Sequence, residues 1–118
     1  MNLAELFRHE IDLLELSAGQ TLFNEGEPAE LMYVLMSGTV MIVVNKRMVE
    51  TAEAGAIIGE MGMIDEGARS ATVVAKSDCR LVPIDRKRFN FLIQQTPHFA
   101  LHVMRVIAKR LRRTDAIL

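Results

Sequence analysis

The sequence changes its pattern near residue 85, and this change constrains the fold more than any other feature. Between about residues 11 and 85, short apolar runs alternate with turns rich in glycine, asparagine, proline and serine. Several short strands at such a spacing are typical of an antiparallel sandwich or barrel. The first predicted strands cover residues 13–16, 21–23, 31–36 and 39–44.

Helical signals flank this β-rich region on both sides. Residues 3–9 predict a short amphipathic helix. Asp85 is suited to cap a helix over residues 86–95, and Pro97 stands at the favoured first position of a helix that ends near residue 117. We therefore expect an α+β, mainly β fold: an antiparallel jelly-roll (double-stranded β-helix) barrel over about 11–85, a short N-terminal helix and two C-terminal helices over about 86–117, all within one domain, 1–118.

Composition excludes several classes of protein. The chain has 118 residues, of which 50% are hydrophobic and 25% are charged, so it can bury a core of its own. The formal net charge of -1 argues against a surface devoted to nucleic acid. The one cysteine, Cys79, excludes an internal disulfide framework and a multi-cysteine metal or iron–sulfur site. We expect it to lie semi-buried in a strand.

The expected location is the cytoplasm. No apolar run approaches the roughly 20 residues of a membrane span. The first residues also lack the basic and apolar regions of a secretory signal.

The segment that carries chemistry covers residues 58–71, with the sequence IGEMGMIDEGARSA. All seven glycines of the chain lie between residues 19 and 67, and three of them crowd into this segment. Arg69 offers a bidentate fork that suits phosphate oxygens, and Ser70 adds a hydroxyl and a main-chain N–H. Glu60, which only accepts hydrogen bonds when ionised, suits a sugar hydroxyl and should repel phosphate. The pattern predicts a ligand that carries a hydroxyl and a phosphate close together.

This segment resembles the phosphate-binding cassette of cyclic-nucleotide-binding domains, found in catabolite activator proteins, protein kinase A regulatory subunits and cyclic-nucleotide-gated channels. The resemblance extends over essentially the whole chain, including the turn at 23–28, the hairpin at 33–40 and the helix start at 85–89. It implies that Glu60 binds the ribose 2′-hydroxyl, and that Arg69 and the serine after it bind the cyclic phosphate. The ligand-binding residues that it implies are Gly59, Glu60, Met61, Arg69, Ser70, Ala71 and Thr114.

The resemblance implies a sensor that binds a cyclic nucleotide and relays the binding through its C-terminal helix to a protein effector. Ser70 does not exclude cGMP, but the bacterial activators bind cAMP with the same Arg-Ser-Ala, which favours cAMP. One alternative is the sensory part of a transcription regulator or channel without its output domain. Another is a ligand-free interaction domain, because relatives with this barrel bind haem, iron–sulfur clusters, small effectors or nothing. In a competing interpretation, Arg69 and Glu60 form only a surface ion pair.

No catalytic or metal site is expected. The chain has no nucleophile elbow, no Walker-type loop and no evident pair of catalytic carboxylates, so we expect no enzyme activity and no cofactor besides the ligand. His98 and His102 stand one helical turn apart, a spacing that can bind a metal, but no acidic residue completes the set. We expect them to be ordinary surface or packing residues.

The last predicted helix carries an apolar stripe. Its residues alternate at steps of three and four: Met104, Ile107, Leu111, Thr114 and Leu118. We expect a parallel homodimer through this stripe, and the alternative is that the stripe covers the core of one monomer. The basic residues between 105 and 113 are expected to form a solvated face. No DNA binding is expected from this chain, because no helix-turn-helix follows the helix.

Overall fold

A computed structural model describes residues 2–65 and 67–117, with the side chains of residues 2–65 and 67–112. Within these ranges the chain forms two four-stranded antiparallel sheets and four helices. The strands are β1 (Leu14–Leu16), β2 (Thr21–Phe23), β3 (Leu31–Ser37), β4 (Val40–Val44), β5 (Arg47–Ala52), β6 (Ile57–Ile58), β7 (Thr72–Ala75) and β8 (Cys79–Asp85). The helices are α1 (Leu3–Leu6), α2 (Met61–Asp65), α3 (Arg86–Gln95) and α4 (Pro97–Ile117).

The two sheets are built from strands that lie far apart in the sequence. One sheet has the order β1-β8-β3-β6, and the other has the order β2-β7-β4-β5. Strand β8 therefore inserts between β1 and β3, while β7 inserts between β2 and β4. This arrangement is a jelly roll, so the predicted α+β, mainly β fold with helices at both ends is confirmed.

Strand β3 contributes to two hydrophobic clusters, because successive side chains of a strand point to opposite faces. Met32 and Val34 are fully buried on the face that the helices cover. Tyr33 and Leu35 point the other way, into a cluster between the two sheets. This coverage of both faces explains why the strand is apolar without alternation. Cys79, expected to be semi-buried, is buried in the inter-sheet cluster, with 3% of its surface exposed, and its Sγ lies 3.3 Å from the carbonyl oxygen of Thr39.

Helix α1 is shorter than the predicted range of residues 3–9. Asn2 caps its start, accepting a hydrogen bond from the amide of Glu5 at 3.2 Å. The helix ends at Leu6, because Phe7 leaves the helical conformation and packs into the core, with 4% of its surface exposed.

The C-terminal helices begin where the sequence predicts. Asp85 caps α3 by accepting a hydrogen bond from the amide of Arg88 at 2.8 Å, and Pro97 opens α4. The rings of Phe89 and Phe99 meet edge to face with centroids 6.0 Å apart, which joins the two helices over the core. Among the described residues, no helix is long and apolar enough to span a membrane.

The apolar stripe of α4 is divided between the core and the surface. Ile107 packs partly against the monomer's own core, which favours, for this residue, the alternative that the stripe covers one monomer. Met104 and Leu111 remain 63% and 50% exposed. The side chain of Thr114 and the whole of Leu118 lie outside the described residues.

Candidate ligand-binding site

A cavity of about 270 Å³ lies between the second sheet, helix α2 and helix α4. Six of the seven predicted ligand-binding residues line it: Gly59, Glu60, Met61, Arg69, Ser70 and Ala71. The seventh, Thr114, has its side chain outside the described part of the chain. Most of the remaining wall is apolar, with contributions from Phe23, Ile42, Val44, Val49, Ile58, Val73 and Leu111.

Arg69 stands at the cavity with only 7% of its surface exposed. Its Nη2 donates to the carbonyl of Leu31 at 2.7 Å, and its Nη1 donates to the carbonyl of Gly59 at 3.3 Å. Its guanidinium carbon lies 3.9 Å from the centre of the Phe23 ring. Burial lowers the pKa of Arg69 below its ordinary value. Neutral carbonyls and a ring therefore fix the direction of the cation without neutralising it.

The Nε of Arg69 is buried, and it has no hydrogen-bond partner among the described residues. A buried donor without a partner is costly, more so when it carries charge. An anion that reached this donor from the cavity would relieve the cost, whereas a neutral apolar ligand would not.

Gly59 is required by the position of Arg69. Its φ of +78° lies in the region that favours glycine, and a Cβ there would come within 2.5 Å of Arg69 Nη1. Gly62 serves a second close approach, because a Cβ there would lie 2.3 Å from the Cβ of Ala29. Two of the three crowded glycines therefore let the cassette main chain pack closely against its neighbours.

Glu60 is 1% exposed, and its partner is a residue of the last helix. Arg110 donates from Nη1 to Glu60 Oε1 at 2.6 Å. The same guanidinium donates from Nε and Nη2 to the two carboxylate oxygens of Glu50, both at 3.1 Å. Burial acts to lower the pKa of Arg110, but the two carboxylates outweigh it and raise the pKa. Helix α4 is thus tied to the cavity wall by a largely buried ionic cluster that includes Glu50, Glu60 and Arg110.

This cluster corrects two interpretations of the sequence. Glu60 and Arg69 are buried and have different partners, so they do not form the surface ion pair considered as an alternative. Arg110 was expected on a solvated basic face, but its side chain is only 18% exposed. The helical spacing could have indicated this burial. Arg110 follows Val106 and Ile107 by four and three residues, so it shares a helix face with two residues that pack toward the core.

The sequence reasoning also missed Glu50. It lies in β5 opposite Ile42 and two residues before the buried Ala52, so the two-residue period of a strand places it on the inward face. The cavity therefore has a buried cation at one end, two carboxylates bridged by a second cation at the other, and apolar walls between them. It suits a ligand with one anionic group, a hydroxyl group and a flat apolar body. No group of three or more metal-ligating side chains occurs within the described ranges.

Comparison with known proteins agrees with this geometry. The family model described as the cyclic nucleotide-binding domain matches residues 13–96. The cAMP-activated global transcriptional regulator of Pasteurella multocida is 39% identical in an alignment 101 residues long, which covers 80% of this chain and 48% of the regulator. A lysophospholipase of Chaetomium globosum is 34% identical in an alignment 107 residues long, which covers 86% of this chain but 7% of the enzyme.

A solved structure gives the same picture. The catabolite activator protein of Thermus thermophilus superposes with a TM-score of 0.80 at 28% identity. The match covers 97% of this chain and 55% of that chain. The chain therefore spans about half the length of these regulators and a small fraction of the lysophospholipase.

Proposed function

Because this chain belongs to the family of cyclic nucleotide-binding domains, we propose that its cavity binds a cyclic purine nucleotide and that the chain acts as a sensor without catalytic activity. The observation that carries the proposal is Arg69, a buried cation at the cavity with one buried donor lacking a partner among the described residues. A cyclic phosphate has a single negative charge and acceptor oxygens, so it can supply the hydrogen-bond acceptor and the opposite charge that Arg69 lacks.

The proposed ligand lies along the cavity from Arg69 to α4. Its phosphate contacts Arg69 and Ser70, with main-chain help from Gly59, Met61 and Ala71. Its ribose 2′-hydroxyl donates to Glu60. The purine lies against the apolar wall, which Leu111 extends from the last helix. A contact between Thr114 and the base remains a prediction, because that side chain lies outside the described residues.

We favour cAMP over cGMP as the ligand. The support is the cAMP-activated regulator that is 39% identical, together with the Arg-Ser-Ala order at residues 69–71. Ser70 is compatible with either purine, so the choice is left to direct measurement.

The ligand is proposed to act through α4. Arg110 occupies the carboxylate of Glu60, which is the group proposed to accept from the ribose. A ribose hydroxyl that takes the place of Arg110 on Oε1 would break this bond, and the position of α4 would respond. A ligand shifts such an equilibrium only by its different affinity for the two positions. A protein effector would then bind α4 differently in its two positions.

Two further parts of the proposal concern assembly and context. We propose a parallel homodimer through the exposed residues of α4, chiefly Met104 and Leu111. The chain 1–118 is taken as one domain with a cytoplasmic location. The sensory part of a larger regulator is the second candidate, because the chain spans 48% of the regulator from Pasteurella multocida. The intact mass of the endogenous protein distinguishes the two.

Isothermal titration tests the proposed ligand. The purified protein is titrated with cAMP, cGMP and 5′-AMP, and Arg69→Ala is run beside Arg80→Ala, a surface arginine outside the cavity. We expect saturable binding of a cyclic nucleotide in the wild type and in Arg80→Ala. Arg69→Ala should lose roughly 2–5 kcal/mol of binding free energy, as expected when one partner of a buried charge pair is removed. A wild type silent to all three ligands would favour a ligand-free interaction domain instead.

A further inference from the structure

Helix α2 brings part of the cavity wall into place, but it is too short to be stable alone. It has five residues, the first two of which, Met61 and Gly62, line the cavity, and Glu60 comes directly before it. An isolated helix of this length does not form in water. Its position therefore depends on tertiary contacts. Two of these are the approach of Gly62 to Ala29 and the burial of Met63, which is 3% exposed in the helix-covered core.

The third contact comes from Arg86. Its Nη2 donates to the carbonyl of Gly62 at 3.0 Å, and its Nη1 donates to the carbonyl of Met63 at 2.9 Å. The last four carbonyls of a helix have no partner within the helix, and a cation near them is favourable. The guanidinium fork of Arg86 reaches two successive carbonyls of this kind.

Arg86 is also the first residue of α3. Asp85 caps that helix, so the main chain of Arg86 is fixed in its first turn. Helix α3 in turn packs on α4 through Phe89 and Phe99. One side chain therefore connects the helix at the cavity with the pair of helices that leads to Arg110.

We propose that Arg86 is a positioning residue that holds α2 at the cavity and transmits a ligand-induced shift of α2 to α3. The second part rests on the proposed function, since it requires a ligand at the cassette. The first part does not, because it concerns the ligand-free protein. The guanidinium donates to two main-chain carbonyls of α2, so it acts on a bound ligand by placing the cassette main chain.

The test compares Arg86→Met, Arg86→Lys and Lys87→Met. Methionine keeps much of the length of the side chain but removes every donor, and lysine restores a cation with a single donor group. Lys87→Met removes a charge from the neighbouring exposed position. Amide hydrogen exchange is measured in the ligand-free protein and with saturating cAMP, together with cAMP affinity and the thermal midpoint. The strand β8 amides provide the reference for global stability.

In the ligand-free protein, Arg86→Met should raise exchange in residues 61–65 above any change in β8. Its affinity for cAMP should fall about tenfold, the effect of roughly one hydrogen bond to a charged group. Its α3 amides should no longer respond to cAMP, Arg86→Lys should recover part of each property, and Lys87→Met should match the wild type. Overturning the proposal requires Arg86→Met to behave like Lys87→Met in exchange and affinity. If the wild type binds no nucleotide while Arg86→Met still loosens α2, the proposed function and the coupling fail, and the positioning role stands.

Discussion

Arg110 Nη1 lies 2.6 Å from Glu60 Oε1, so the last helix reaches the cavity carboxylate through a bond between residues 50 positions apart. Glu50 holds the same guanidinium from a third element. A buried ion pair is weak support for stability, because its desolvation offsets much of the attraction. The cluster is more informative as a link between ligand and helix, since a ligand that takes Glu60 leaves Arg110 attached to Glu50.

Glu60→Ala should separate the ribose contact from other effects. A hydrogen bond to a charged group contributes about 1.5–3 kcal/mol, so cAMP binding should weaken roughly 10- to 100-fold. Binding of 2′-deoxy-cAMP should change much less, because that ligand has no hydroxyl for Glu60. Removing a negative charge near the phosphate affects both ligands alike and cancels in the comparison. Titration of wild type and variant with both ligands gives the answer, and equal losses for the two would contradict the ribose role.

Gly59→Ala should impair binding beyond its cost in stability. Alanine at a positive φ costs roughly 1–2 kcal/mol, and Gly19→Ala provides a matched control. Gly19 has a φ of +89° with no atom within 4 Å of an added Cβ, whereas the Cβ at Gly59 meets Arg69 at 2.5 Å. Urea unfolding should show a loss for both variants, and a larger one for Gly59→Ala because the displaced guanidinium also loses contact with its carbonyl partners. Only Gly59→Ala should bind cAMP more weakly. The affinity should fall about tenfold or more if the displaced guanidinium loses most of one charged hydrogen bond to the phosphate. Equal affinities in the two variants would mean that the position of Arg69 does not matter for the ligand.

The sequence predicts most of the fold because its signals are local. Asp85 and Pro97 mark the helix starts by their own main-chain chemistry, and turns between apolar runs mark the strands. The cassette residues are predictable in the same way, since Gly59 to Ala71 are near each other along the chain. The ionic cluster is different, because it depends on where α4 packs across the sheet. There Arg110 meets Glu60 and Glu50, which come 50 and 60 positions before it in the sequence, and no local pattern predicts these contacts.

The pair between Glu10 and Arg88 should make stability depend on pH in acid. Arg88 donates from Nη1 and Nη2 to the two carboxylate oxygens of Glu10, both at 2.9 Å, and this bond lowers the pKa of Glu10 below its usual 4.5. A lowered carboxyl pKa in the folded state means a contribution that is complete above pH 4.5 and lost as the pH falls through the folded value. Glu10→Gln should therefore cost about 0.5–1 kcal/mol at pH 7, within the range of partly exposed pairs.

The same variant should lose little at a pH below the lowered pKa, where the wild-type carboxyl is protonated. Urea unfolding of the wild type and Glu10→Gln, at pH 7 and at several pH values below 4.5, measures the loss of stability under each condition. Glu15→Gln serves as the control, because its single contact with Arg80 spans 3.3 Å between side chains that are mostly exposed. A constant loss for Glu10→Gln across this range would show that the charged pair contributes nothing.

Met104→Glu should dissociate the proposed dimer without disturbing the monomer. Met104 is 63% exposed on α4, so a carboxylate there can remain in water when the chain is alone. Ile107 is unsuitable as a probe, because it packs partly against the monomer's own core. In a parallel pair, the two new carboxylates would face each other across the axis and repel, and buried apolar contact would be lost. Sedimentation equilibrium should show the wild type and Gln94→Glu, which adds a charge at an exposed position of α3, as dimers. It should show Met104→Glu as a folded monomer, whose thermal midpoint matches that of the wild type diluted until its dimer dissociates. A wild type that stays monomeric at high concentration would instead leave Met104 and Leu111 as exposed residues of a monomeric sensor.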